Sequence, residues 1–112
     1  MWLFCKSGFF SAVQERDDLG RVLVRSRFQG DIERLFPAAK VIHTPDADYP
    51  CRAFVPRMDW AAAVLSQAEG IDYENFKDAV NDGTRRDAAY MSDWGAMRRA
   101  QDGRGASMES CR

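Results

Sequence analysis

The sequence predicts an α+β protein: an antiparallel sheet of about five strands with helices packed on one face, in the order β-β-β-α-β-β-α-α. Three observations carry this. Val22, Val24 and Ser26 alternate with Leu23, Arg25 and Arg27, the period-two pattern of a half-buried strand. Trp60, Ala61, Val64, Leu65 and Ala68 recur at helical spacing and mark an amphipathic helix. The connections between strand-like stretches are too short for the crossovers that parallel strands require.

Taken in order, Trp2 to Cys5 and Phe9 to Val13 flank Lys6-Ser7-Gly8, the spacing of a hairpin with glycine in its turn. Gln14 to Gly20 is polar and reads as a loop, and Arg21 to Phe28 is the alternating strand. Gly30-Asp31 opens a short helix on Ile32, Leu35 and Phe36, which Pro37 stops. Lys40 to Thr44 and Cys51 to Val55 form a second strand pair. Their connection, TPDADYP, is rich in turn formers and too long for a tight turn, so it reads as an exposed acidic loop.

Asp59 is positioned to cap the main helix, whose Trp60, Val64 and Leu65 are expected to be buried against the sheet. Gly70 ends it. Asp72 caps a short helix with Ile71 and Phe76 as a hydrophobic staple. Thr84 and Asp87 open the last helix, with Ala88, Tyr90, Met91, Trp94 and Met97 as its apolar stripe. The length fits one domain over residues 1–101, and residues 102–112, small and polar, read as a disordered tail.

The 112 residues are 46% apolar and 12% aromatic, enough for one core, with a formal net charge of −1. That balance argues against a partner bound by the whole surface, and it makes direct nucleic-acid binding the less favoured reading. The charge is uneven: net +2 over residues 1–43, −5 over 44–84 and +2 over 85–112. Asp46, Asp48, Asp72, Glu74 and Asp78, with Tyr49 in the same loop, form a candidate acidic patch for a protein partner with a basic surface. Arg25 and Arg27 project together, and with Arg52 they make an alternative anion-binding set, since guanidinium forks match phosphate and carboxylate.

No catalytic residues are assigned. His43 is the lone histidine, in a strand beside an exposed loop, and Cys5 and Cys51 could reach it only through the fold. Cys5, Cys51 and Cys111 show no CxxC spacing, and no nucleotide-binding glycine motif occurs. A carboxylate metal site lacks the EF-hand spacing, so neither metal nor cofactor is expected. Arg85, Arg86, Arg98 and Arg99 lie on the last helix, where the last two complement its dipole. No run is long enough for a membrane span, and the N-terminal apolar stretch lacks the marks of a signal peptide. A soluble, cytoplasmic monomer or weak dimer is the expectation.

The stretches LVRSRFQGDIERLFPAAKVIHTPDADYPCRAFVPR, IDYENFKDAV and RRDAAYMSDW, at 23–57, 71–80 and 85–94, carry a resemblance to a small, uncharacterised bacterial family of about this length, which extends over roughly residues 2–97. The resemblance implies no activity. Small proteins of this build also occur on phages and plasmids, where some block host defence complexes. Size and type alone therefore suggest an anti-CRISPR-type inhibitor that covers a basic, nucleic-acid-binding surface. A nucleic-acid or phosphate-binding accessory domain is the second reading, and a small hydrolase or metal-dependent enzyme the third.

Overall fold

Valines at every second position make β3 (Arg21–Ser26) the middle strand of a five-stranded sheet. The structure is a computed structural model that describes residues 1–80 and 83–103. β1 (Trp2–Cys5) and β2 (Gly8–Gln14) form the expected hairpin, with Cys5 opposite Gly8 across the turn. β2 then pairs with β3, and β3 with β5 (Cys51–Pro56). β4 (Ile42–His43) folds back onto the outer edge of β5, so the order is β1-β2-β3-β5-β4, antiparallel throughout. The fold is α+β, and the described residues form four helices, matching the four helical stretches of the sequence although the order β-β-β-α-β-β-α-α counts only three. They are α1 (Asp31–Leu35), α2 (Arg57–Glu69), α3 (Phe76–Ala79) and α4 (Arg85–Asp102).

The chain divides into two compact units, Met1–Asp72 and Tyr73–Arg112. In the first, alternation sends Phe10, Ala12, Val22, Val24, Ala53 and Val55 to one face of the sheet, where they are buried. Ile32 and Phe36 at α1 and Trp60 of α2 close over that face. The Trp60 ring stacks on Phe36 at 6.2 Å and meets Phe10 edge-on at 6.5 Å. Asp31, the first residue of α1, is fully buried under the hairpin and pairs with Arg34.

The expected face of α2 needs correction. The helix starts at Arg57, directly after Pro56, and makes no side-chain cap, so Asp59 lies inside its first turn. Trp60, Ala63 and Val64 face the core, but Leu65 is 59% exposed. Trp60 fixes the rotation, and a residue five positions on lies about 140° round the helix. Leu65→Ala should therefore change stability by no more than about 0.5 kcal/mol in chemical denaturation, rather than the several kilocalories of a core leucine.

In the second unit the cap of α3 is Asn75, whose side chain accepts from the Asp78 N–H at 3.3 Å; Asp72 plays no such part. Thr84 caps α4 as expected, accepting from the Asp87 N–H at 3.3 Å. Phe76 stacks on Tyr90 at 5.6 Å, and Val80 and Tyr90 are buried. Ala88, Met91, Trp94 and Met97, the rest of the expected stripe, are exposed. Of the expected tail, residues 104–112 lie outside the described residues.

Candidate anion-binding site

The residues that alternate with the core positions lie on the opposite face of the sheet, which neither α1 nor α2 covers. Register places Arg25 of β3 directly opposite Arg52 of β5 on this face. Ser11 of β2 lies opposite Arg25 on the other side. Two like charges facing each other across a strand pair destabilise a sheet unless something offsets them.

The offsetting groups here are neutral. Arg25 Nη2 donates to Ser11 Oγ at 2.9 Å, and its guanidinium lies 4.6 Å from the centre of the Tyr49 ring. Arg27 lies 4.2 Å from the same ring. Arg52 Nε donates to the Tyr49 carbonyl at 3.3 Å. Tyr49 itself is only 5% exposed, so the loop before β5 supplies a fixed aromatic platform and one carbonyl. Cation–π contact and a carbonyl orient the guanidiniums without cancelling their charge.

Three other arginines of this unit, Arg21, Arg27 and Arg34, are neutralised by carboxylates, whereas Arg57 Nε donates to the Leu19 carbonyl at 3.0 Å. Arg21 makes two bonds of 2.6 Å to Glu15, and that hydrogen bonding, more than its neighbouring charge, holds its pKa above the usual value. Arg27 Nη1 reaches the Asp48 carbonyl at 2.6 Å and its carboxylate at 3.1 Å. Arg34 pairs with Asp31. Arg25 and Arg52 make no ion pair among the described residues. The structure thus brings together the alternative set Arg25, Arg27 and Arg52, with the charge of Arg27 committed to Asp48.

The residues of the acidic patch fare differently. Asp46 and Asp48 are exposed on the β4–β5 loop, Asp48 engaged by Arg27. Asp72 is exposed and bridges to Lys6 at 3.2 Å. Glu74 and Asp78 are exposed in the second unit. Tyr49 does not join them at the surface, because its ring is enclosed beneath the arginines. Neither the burial of Tyr49 nor the facing of Arg25 and Arg52 has a local signal. Both depend on strand register, and the alternation of Arg25 and Arg27 with Val24 and Ser26 is the readable part.

His43 and Cys51 do meet, with Nδ1 and Sγ 3.7 Å apart. Cys51 is buried, however, and that desolvation pushes its thiol pKa up, with the Ser26 hydrogen bond acting the other way. An attacking cysteine needs the opposite shift. The unfolded thiol ionises before the folded one, so the folded state binds more protons there. Stability should fall as pH rises past the ordinary thiol pKa of about 8.5, and Cys51→Ala should flatten that limb of a pH–stability curve.

Among the described residues no three His, Cys, Asp or Glu side chains converge as metal ligands, and no helix is long and apolar enough to cross a membrane. A cleft of about 620 Å³ opens between the chain after α1 and the start of α2, bordered by Lys40, Phe54, Asp59 and Ala63. No protein-family model matches the chain, and comparison with curated proteins and with solved structures finds no match.

Proposed function

We propose that this chain is a non-enzymatic binding module that holds an anionic partner on the open face of its sheet, with Arg25 and Arg52 as the anion-binding pair. The supporting observation is the pair itself: two guanidiniums in cross-strand register, aimed by neutral groups and lacking a carboxylate. Such an arrangement costs stability in the free protein and is relieved when an anion bridges it. The acidic surface supports a rival reading less well, because Asp48 and Asp72 are drawn into pairs with Arg27 and Lys6.

Titration calorimetry with inorganic tripolyphosphate tests this. Binding should weaken as salt rises, and Arg25→Ala and Arg52→Ala should each weaken it about tenfold or more, the worth of a charge-assisted hydrogen bond. Affinity unchanged in both variants would overturn the proposal.

A further inference from the structure

We infer that the anionic partner is a single strand of nucleic acid, its phosphates on Arg25 and Arg52 and its bases stacked on the aromatic rings of the same face. This rests on the anion-binding reading above and adds a second, independent observation. The open face carries exposed aromatic rings as well as cations. Trp2 on β1 is 68% exposed, with its ring edge-on to Phe9 at 6.1 Å, and Phe54 on β5 is 41% exposed, with the Arg21 guanidinium 5.0 Å from its ring centre; both share the side of the sheet that bears the arginine pair. Phe4 is also exposed and lies against Phe9 with ring centres 4.5 Å apart. The strand residues of this face include no aspartate, glutamate or lysine.

Exposed apolar rings grouped on one face mark a binding surface. Neighbouring strands lie about 4.8 Å apart, so Trp2 and Phe54, three strands apart in the sheet order, flank the arginines within roughly 15 Å. One polymer offers both halves of the match at that scale. A single strand carries a negative charge on each nucleotide and leaves every base face free to stack. A duplex presents the phosphates but keeps its base faces buried, so the rings would stay wet. An acidic peptide offers the charge without a repeating aromatic partner. The overall charge of −1 is a sum over the chain, whereas the strand positions of this face bear no carboxylate; Glu15 and Asp48, from adjoining loops, are paired with Arg21 and Arg27.

Fluorescence anisotropy with labelled oligodeoxythymidine and oligouridine tests the inference, with a duplex, polyglutamate and tripolyphosphate as comparisons. The two labelled strands distinguish DNA from RNA. Both Trp2→Ala and Phe54→Ala remove exposed rings and should leave the melting temperature nearly unchanged. Each should weaken single-strand binding roughly tenfold, the scale of one lost base stack, and leave tripolyphosphate binding as it was. Arg25→Ala should weaken both. Duplex or polyglutamate bound as tightly as the single strand would overturn the inference while the anion-binding reading stands. So would strand binding indifferent to Trp2→Ala and Phe54→Ala. Tripolyphosphate and strand binding both indifferent to Arg25→Ala, or neither ligand bound at low salt, would overturn the two together.

Discussion

Phe10→Ala is expected to remove about 3–5 kcal/mol of folding stability, the range for truncating a buried aromatic side chain. Phe10 is fully buried on β2, opposite Leu3 of β1 and edge-on to the Trp60 ring. Its removal strips the contact that joins the hairpin to α2 and leaves a cavity that the sheet backbone cannot close. Small domains hold only about 5–15 kcal/mol in reserve, so the variant should sit near the edge of folding. Urea denaturation measures this. A loss below about 1 kcal/mol would mean that the site collapses around the gap and that the core is less tightly set than described.

Gly8→Ala should destabilise by more than about 2 kcal/mol, from two sources that act together. Gly8 has φ of 149°, a conformation that residues with a Cβ rarely adopt. A Cβ built there would also lie 2.7 Å from Asp31 Oδ2 and 2.8 Å from its Cγ. Asp31 cannot simply swing away, since it opens α1, is fully buried and holds Arg34. A double-mutant cycle with Asp31→Ala separates the sources, because most of the steric share should go with the carboxylate, leaving only the 3.3 Å approach to the residue's Cβ, while the backbone share remains. A purely additive cycle would show that the close approach of hairpin and helix is not what demands glycine at position 8.

Much of the sheet was legible because its signals are local. Valines at period two, a glycine beside a tight turn and short polar connections were enough to define the hairpin, β3 and antiparallel pairing. The pairing of β4 with β5 was legible in the same way, but that of β5 with β3 was not, since it is a choice among long-range pairings that no short stretch encodes. The face of α2 failed for a related reason. Trp60, Ala61, Val64 and Leu65 form a broad apolar arc, and only contact with Phe10 and Phe36 decides which part turns inward. Tyr49 misled in the same way: within TPDADYP it looks like a surface residue, yet it is enclosed once β3 and β5 bring Arg25 and Arg27 over it. Net charge says little about any one face, because −1 is a sum over the chain and the strand positions of the arginine face carry no carboxylate.

The arginine pair can be tested without choosing among partners, by following the melting temperature of Arg52→Gln with and without tripolyphosphate at low salt. Facing like charges cost stability, so the substitution should leave the melting temperature unchanged or raise it. A ligand that binds only the folded state raises the melting temperature by mass action, so tripolyphosphate should stabilise the original protein and much less the variant. An arginine pair that is structural would give the reverse: Arg52→Gln would melt lower, and tripolyphosphate would stabilise both proteins equally or neither.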